Sequence, residues 1–225
     1  NSTSFEIFYD NSDTNPLAEL CDQYGSDKGE INSENNPYAW KSHNYTDFYH
    51  FLFKSTRETT KNVFECGLGT NNPKLKSSMG INGKPGASLR VWRDYFPNAM
   101  IYGADIDEDI LFEETRIKTF YCDQTSKESI AKFVENAKIK EKSLDIIIDD
   151  GLHEFHAGAS LFEGMKDYLT FNGAYIIEDV SHADKLKYLK YFDEVRNDYD
   201  FYVVNLYRKN TSLGDNSLVV IRRKN

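Results

Sequence analysis

The sequence predicts an α/β fold: a doubly wound, mostly parallel seven-stranded sheet with a C-terminal antiparallel hairpin. Short apolar runs alternate with longer amphipathic stretches along most of the chain, a pattern typical of strands joined by crossover helices. Ile146, Ile147 and Ile148 are consecutive rather than alternating, as expected of a central strand covered on both faces. Near the C-terminus, two strand-like runs are separated by a segment too short for a parallel crossover.

Five apolar runs predict the parallel strands, and each ends in polar residues or glycine. They lie at residues 62–66, 100–105, 119–123, 144–149 and 174–178. The stretches between them have the apolar spacing of helices. These predicted helices span residues 88–95, 108–114, 126–137 and 155–169, and a further one spans residues 184–196.

The last two predicted strands, residues 201–207 and 218–222, pair antiparallel because residues 209–216 can form only a loop between them. Upstream, residues 15–23 and 46–57 have helical patterns that suit a cover over the carboxyl edge of the sheet. We therefore expect residues 1–60 to form an N-terminal helical cap segment. Residues 61–225 are expected to form a Rossmann-like domain, within one compact unit.

Composition limits the class of protein. The chain has 225 residues, 40% of them hydrophobic and 14% aromatic, which excludes general disorder. A net charge of −9 disfavours nucleic acid as a partner, and no apolar run approaches the roughly 18 residues that span a membrane. The first ten residues are polar and acidic, so we expect a cytoplasmic location. Three widely spaced cysteines predict reduced thiols.

A glycine turn follows the first predicted parallel strand. Gly67 and Gly69 allow the backbone to turn tightly beside a ligand. A dinucleotide fingerprint requires a third glycine, but Asn72 occupies that position, which disfavours NAD. Residues 70–86 form a long insertion before the next predicted helix, and we interpret this insertion as a lid.

Acidic residues close to this turn indicate a cofactor site. Asp105 and Asp123 end the next two strands, at the edge where open α/β sheets bind ligands, and a carboxylate there can accept hydrogen bonds from a ribose diol. Glu65 precedes the glycine turn and suits the positive charge of S-adenosylmethionine better than a pyrophosphate. The turn and these acids favour a methyl donor as the cofactor.

Four carboxylates converge where two further strands end: Asp149, Asp150, Glu178 and Asp179. Each opposes the ionisation of its neighbours, so a cation is needed to compensate, and oxygen ligands favour a hard ion such as Mg²⁺. Asp149 and Asp150 point to opposite faces of their strand. Asp150 is therefore predicted to be a ligand together with Glu178 and Asp179, with Asp149 behind it.

His153 lies three residues after Asp150, near the start of the next predicted helix. A histidine with an ordinary pKa of about 6.5 suits proton transfer near neutrality. The adjacent acids therefore make His153 the candidate general base, whereas His50, His156 and His182 are expected to be packing or surface residues.

Several motifs together resemble the metal-dependent macrolide sugar O-methyltransferases, which are class I S-adenosylmethionine-dependent methyltransferases. They are YGSDKG, HNY, the glycine turn, GASLRVWRDYFPNAMIYGADID, IIDDGLH and YIIEDV. The resemblance implies that Asp150, Glu178 and Asp179 bind magnesium, that His153 is the base, and that Glu65, Asp105, Asp123 and Gln124 contact the cofactor. Residues 70–86 and Leu152 depart from the family pattern. YGSDKG would let Lys28 or Tyr24 reach over the cofactor.

The predicted function is S-adenosylmethionine-dependent, Mg²⁺-assisted O-methylation of a small hydroxylated acceptor, a sugar or a sugar-containing metabolite. In this mechanism the metal lowers the pKa of the acceptor hydroxyl, His153 takes its proton, and Asp150 acts beside it. Two alternatives stay open: a non-catalytic cofactor-binding module and an NAD-dependent oxidoreductase. The partner is expected to be a small molecule rather than nucleic acid or a membrane, and a homo-oligomer stays open.

Overall fold

The computed structural model describes residues 3–9, 15–32, 34, 36–195, 197–208 and 211–224. The strands in this part of the chain are β1 (Thr3–Tyr9), β2 (Asn62–Cys66), β3 (Met100–Asp105), β4 (Glu113–Glu114), β5 (Ile117–Tyr121), β6 (Leu144–Asp149), β7 (Leu169–Ile177), β8 (Tyr199–Arg208) and β9 (Ser217–Arg223). The α-helices are α1 (Pro16–Tyr24), α2 (Tyr45–Phe53), α3 (Ala87–Tyr95), α4 (Lys127–Ala137), α5 (Phe155–Met165) and α6 (His182–Glu194).

Among the described residues, nine strands form one sheet in the order β1-β8-β9-β7-β6-β2-β3-β5-β4. The central strands β5, β3, β2, β6 and β7 pair in parallel. β9 pairs antiparallel with both β7 and β8, which confirms the C-terminal hairpin. Lys209 and Asn210, which belong to the predicted loop of residues 209–216, lie outside the described residues. The seven predicted strands are all present, so the predicted fold class is confirmed.

Two strands extend the sheet beyond the predicted seven. β1 pairs in parallel with β8, with Thr3 opposite Tyr202, so the segment predicted as a helical cap also contributes an edge strand. Its sequence, TSFEIFY, is rich in the aromatic and β-branched residues typical of strands. The helix predicted over residues 108–114 is wrong: a 3₁₀ turn (Glu108–Ile110) is followed by β4, which pairs antiparallel with β5.

Capping residues explain where several helices begin and end. Asn15 accepts a hydrogen bond from the Ala18 amide at the start of α1, and the left-handed Gly25 ends that helix. Ser126 caps α4 in the same way, by accepting from the Ser129 amide. The helix predicted over residues 155–169 ends earlier, since α5 stops at Met165 and a 3₁₀ turn leads into β7. Arg196, predicted to end the last helix, lies outside the described residues.

Helices cover both faces of the sheet. Helices α1, α2 and α3 pack on one face, and their buried side chains include Leu17, Phe48 and Trp92. Helices α4, α5 and α6 pack on the other. The N-terminal helices therefore cover a face of the sheet rather than its carboxyl edge; the loop between α1 and α2 reaches that edge. The three cysteines are free and buried, and none of the helices described is long and apolar enough to cross a membrane.

Candidate active site

An open cavity lies at the carboxyl edge of the sheet. Its volume is about 930 Å³ when the solvent space at its mouth is included. Its walls come from the turns after β2, β3, β5 and β6, from residues 70–86, and from the loop between α1 and α2. The carboxylates in its lining are Asp27, Asp105, Asp123, Asp150 and Asp179, and the basic side chains are Lys28, Lys84 and His153. An excess of acids gives the cavity a preference for a positively charged ligand.

The glycine turn is shaped by backbone contact with the turn after β6. Gly67 has φ of 95°, and a Cβ there would lie 2.0 Å from the backbone oxygen of Asp150. Gly69 also has a left-handed φ of 79°. Side chains are excluded at Gly67 by both conformation and space, and the open backbone that results forms one wall of the cavity.

Asp105, which is predicted to contact the cofactor, lies at the end of β3 and lines the cavity. Its Oδ2 accepts a hydrogen bond of 2.8 Å from the Leu68 amide, and its Oδ1 accepts one of 2.9 Å from the Asp107 amide. Burial raises the pKa of Asp105, and these two amides oppose that rise. Asp105 therefore ties the glycine turn to β3 while its side chain faces the cavity.

Asp123 and Gln124 both line the cavity in the turn after β5. Asp123 accepts hydrogen bonds from the amide and the hydroxyl of Thr125, at 2.9 and 2.7 Å. The Gln124 amide nitrogen donates to Asp149, at 3.2 Å to Oδ1, and its oxygen accepts from the Leu152 amide at 2.7 Å. Asp149 thus points toward Gln124 and away from Asp150, in agreement with the alternation along β6.

Glu65 is fully buried and is not among the residues that line the cavity. Its carboxylate accepts hydrogen bonds from the Ser88 hydroxyl and, at 3.0 Å, from the Trp92 indole. The ammonium of Lys28 lies 3.4 Å from its Oε2. The predicted cofactor contact through Glu65 therefore differs from the structure, where this carboxylate anchors α3 and Lys28. The strand alternation turns Glu65 to the face that α3 covers.

Lys28 provides the cation that the convergent carboxylates need. Its ammonium lies 2.7 Å from Asp150 Oδ2, hydrogen bonds to Glu178, and also faces Glu65. The Lys28 side chain is 3% exposed. Although burial alone would lower its pKa, the surrounding carboxylates hold the pKa of Lys28 well above its usual range. These acids therefore have a counter-ion from a distant loop, in addition to the metal predicted for their charge balance.

Asp179 has a left-handed backbone (φ 53°) and is held by several side chains. The Tyr45 hydroxyl donates to its Oδ1 at 2.6 Å, and His43 Nε2 lies 3.3 Å from the same oxygen. His153 Nδ1 lies 3.0 Å from Oδ2. The Tyr49 hydroxyl similarly donates to Glu178 at 2.5 Å. The phenols of α2 therefore orient both acids that follow β7.

His153 lies between Asp150 and Asp179. Its Nε2 is 3.9 Å from Asp150 Oδ1, whereas Nδ1 faces Asp179. Burial acts to lower the pKa of His153, but the two carboxylates outweigh it and raise the pKa to about 10. Burial likewise acts to raise the pKa of Asp179, but His153 and His43 hold it below its usual range. The ordinary histidine pKa assumed from the sequence therefore does not apply to His153 beside these carboxylates.

The insertion at residues 70–86 forms a side wall of the cavity through Ser77, Met79 and Lys84. Its Met79 amide donates to Thr70 O at 2.7 Å, which closes the insertion on itself. The Lys76 ammonium lies 3.0 Å from the carboxylate of Glu154, so this ion pair links the insertion to the residue that follows His153. Leu152 also lines the cavity. Both departures from the family pattern therefore lie at the cavity.

The YGSDKG motif contributes Lys28 but not Tyr24, whose hydroxyl donates to Asp94 on α3 at 2.5 Å. Tyr45, Tyr49 and His43 have no role predicted from the sequence. The HNY motif at the start of α2 contained the signal for two of them. Their partners, however, lie more than a hundred residues away.

The donor set at the cavity suits a hard divalent ion. Asp150, His153 and Asp179 each offer a ligand atom, and these atoms lie within 4.8 Å of one another. The carboxylate oxygens are the ligands that Mg²⁺ prefers. Glu178, the third predicted ligand, is engaged by Lys28 and Tyr49 and is 2% exposed. The site therefore fits such an ion through Asp150 and Asp179, with Glu178 adjacent to them.

The chain is similar to curated sugar O-methyltransferases. It is 29% identical over 171 residues to the 8-demethyl-8-alpha-L-rhamnosyl tetracenomycin-C 2'-O-methyltransferase of Streptomyces olivaceus, which is 76% of this chain and 39% of that protein. It is 31% identical over 139 residues to the mycinamicin VI 2''-O-methyltransferase of Micromonospora griseorubida, 61% of this chain and 32% of that protein. The chain thus spans less than half the length of these relatives. No family model matches it.

Solved structures agree with this similarity. The fold superposes on the MycE methyltransferase from the mycinamycin biosynthetic pathway, in complex with Mg and SAH, with a TM-score of 0.65 at 22% identity. That match covers 94% of this chain and 55% of the other. A complex that also contains mycinamycin VI gives a TM-score of 0.64. The class I methyltransferase fold is confirmed, and so is the resemblance to macrolide sugar O-methyltransferases.

Proposed function

We propose that this chain binds S-adenosylmethionine and Mg²⁺ in the cavity and methylates a hydroxyl group of a small, sugar-containing acceptor. The observation that carries the proposal is the position of His153, between Asp150 and Asp179 and in the same cavity as the glycine turn. The curated relatives named above are sugar O-methyltransferases, which supports the acceptor class.

The cofactor half of the cavity uses the turns after β2, β3 and β5. The side-chain-free backbone at Gly67 and Gly69 lets the cofactor approach closely, while Asp105 and Asp123 accept hydrogen bonds from its ribose. The acidic lining favours a positively charged sulfonium over a pyrophosphate. Gln124 joins the turn after β5 to the turn after β6 by accepting from the Leu152 amide. Glu65 lies behind the cavity wall, where it holds Trp92 and Lys28.

The reaction half uses the turns after β6 and β7. Asp150, Asp179 and the adjacent Glu178 would hold Mg²⁺. S-adenosylmethionine supplies the methyl group on a positively charged sulfur, and Mg²⁺ supplies positive charge beside the carboxylates that raise the pKa of His153. Because Asp179 holds Nδ1, Nε2 of His153 is the atom that takes the acceptor proton.

The acceptor oxygen loses its proton to His153 Nε2 and forms the new bond to the methyl carbon as the carbon–sulfur bond breaks. The sulfur leaves as a neutral thioether, so charge balances. Positioning of the two reactants can supply roughly 7 to 11 kcal/mol of the barrier reduction. Leu152 and residues 70–86 face the cavity and are the segments we assign to acceptor selection. The described part of residues 1–60 supplies both a helical cover on one face of the sheet and its edge strand β1, so we treat it as one compact unit with residues 61–225.

The test is methyl transfer from labelled S-adenosylmethionine to a panel of glycosylated acceptors and their aglycones, with Mg²⁺ and with excess chelator. Label in the glycosylated products, lost on chelation and restored by Mg²⁺, is the expected result. Calorimetry should show binding of S-adenosylmethionine and none of NAD. Binding of NAD alone would favour the oxidoreductase. Cofactor binding without transfer to any acceptor would favour a binding module.

A further inference from the structure

Lys28 lies where three strands end, although it comes from the loop between α1 and α2. Its ammonium contacts Glu65 at the end of β2, Asp150 after β6 and Glu178 after β7. Lys28 and Glu65 are almost completely buried, as is Glu178, so solvent screens these contacts weakly. Asp150 and Glu178 are also two of the three residues to which we assign magnesium binding.

The two oxygens of Asp150 face different groups. Oδ2 is 2.7 Å from the Lys28 ammonium, and Oδ1 is directed toward His153 at 3.9 Å. The ammonium therefore fixes the rotation of this carboxylate and leaves one oxygen turned toward the cluster of Asp150, His153 and Asp179. One ammonium faces three carboxyl groups. Burial raises the pKa of Glu65 and of Glu178, so Asp150 is the member of the group through which a cation is still attracted.

We propose that Lys28 is a built-in counter-ion of the carboxylate cluster, which keeps the cluster folded without a divalent ion and weakens the affinity for that ion. The inference rests on the proposed function only for the identity of the ion. Lys28 is a positioning residue, because it acts on the cavity through Asp150 and Glu178.

Two opposite consequences of removing the charge make the proposal testable. In Lys28→Met, buried carboxylates lose their cation, which is strongly destabilising. The same change removes a repulsive charge from beside the ion site, and at the short distances involved Coulomb repulsion outweighs the loss of orientation. Metal-free Lys28→Met should therefore be less stable, and it should bind Mg²⁺ more tightly.

The experiment measures melting temperature in excess chelator and Mg²⁺ affinity by calorimetry, for the wild type, Lys28→Met, Lys28→Arg and Lys84→Met. Lys84 is the matched control, since it lines the same cavity and forms no ion pair among the residues described. We expect Lys28→Met to melt about 10 °C lower in chelator, to bind Mg²⁺ at least tenfold more tightly, and to regain most of the lost melting temperature with Mg²⁺. Lys28→Arg and Lys84→Met should stay close to the wild type.

If Lys28→Met does not fold, the double variant Lys28→Met with Glu65→Gln replaces it, because this variant loses one group of each charge. Its affinity for Mg²⁺ is then measured by calorimetry in the same way. An affinity for Mg²⁺ equal to or weaker than that of the wild type would overturn the inference, whichever of these variants is used. An unchanged melting temperature of Lys28→Met in chelator would overturn it as well. Binding of Mg²⁺ by the variant but not by the wild type would support the inference and remove Mg²⁺ from the proposed function.

Discussion

Around the glycine turn, the acids of the cavity accept hydrogen bonds from backbone groups of the turns beside them, whereas around His153 they are held by side chains from distant segments. Asp105 accepts from the Leu68 and Asp107 amides. Asp150 and Asp179 are instead held by Lys28 and Tyr45, which lie 122 and 134 residues away in the chain. The arrangement around the glycine turn is therefore a property of the sheet edge. The arrangement around His153 depends on docking of the N-terminal segment.

Acids at one edge of a sheet can thus be stabilised in two ways. Backbone amides stabilise a carboxylate without adding a titratable group, so Asp105 needs no counter-ion. In the other half, Lys28 and His153 provide the positive charge. Substitutions in the two halves should therefore differ in whether they change catalysis, folding or cofactor binding.

The largest expected effect is that of His153→Ala, which removes the group that takes the acceptor proton. Its kcat should fall about 10²- to 10⁴-fold, with the affinity for S-adenosylmethionine nearly unchanged. His156→Ala is the control, since His156 is 63% exposed and pairs with Glu154 outside the cluster. Normal kcat with a raised KM for the acceptor would show that His153 only binds substrate.

Gly67→Ala should damage the glycine turn, because the new Cβ would meet the Asp150 backbone in addition to the strain of a left-handed φ. We expect a loss of about 2 to 4 kcal/mol of unfolding free energy and loss of cofactor binding. Gly80→Ala has a similar φ of 77° but free space around its Cβ, so it should cost only about 1 to 2 kcal/mol. Equal losses in urea unfolding would contradict the role of the close contact.

Tyr45→Phe tests how the docking of α2 holds the acids around His153. It removes the hydroxyl that donates to Asp179, and hydrogen bonds to charged groups contribute about 1.5 to 3 kcal/mol. Tyr175→Phe is the matched control, because the buried Tyr175 hydroxyl has no hydrogen-bond partner among the described residues and its removal should be neutral or stabilising. Similar unfolding free energies for the two variants would mean that Tyr45 contributes only packing.

Asp105→Ala should weaken the binding of S-adenosylmethionine by about 1 to 3 kcal/mol, through loss of the ribose contact and of the support for the glycine turn. Asp145→Ala makes a matched comparison. Asp145 accepts from the Lys61 and Asn62 amides at 2.8 and 3.0 Å, at the opposite end of the sheet. Its removal should lower stability without changing cofactor affinity. Unchanged affinity in Asp105→Ala, measured by calorimetry, would remove Asp105 from the cofactor site.

The smallest effect concerns pH and Asp47, in the first turn of α2. Burial raises its pKa to about 6, so the folded chain holds a proton that the unfolded chain releases above pH 4. The favourable contribution of Asp47 is thus present below pH 4 and lost as the pH rises through 6. After allowance for partial exposure, we expect this loss to be about 1 kcal/mol. Parallel pH profiles for the wild type and Asp47→Asn in urea unfolding would contradict it.

Periodicity along the chain was enough to predict the α/β class, the parallel pairing of the central strands and the edge where the acids meet. Parallel strands joined by crossover helices bring their carboxyl ends to one edge, so Asp105, Asp150 and Asp179 had to lie near one another. Strand alternation also separated Asp149 from Asp150. These conclusions depend on local periodicity, which can be read directly from the sequence.

The groups that balance the charges at that edge come from segments far apart in the chain, and packing brings them together. Glu65 lies near the carboxyl end of its strand, as the other acids do, yet it faces Trp92 and Lys28 rather than the cavity. Lys28 and Tyr45 come from loops and helix ends whose position depends on packing against the sheet. The pKa of His153 follows from those partners, since electrostatic interaction depends on distance in space and not on separation along the chain.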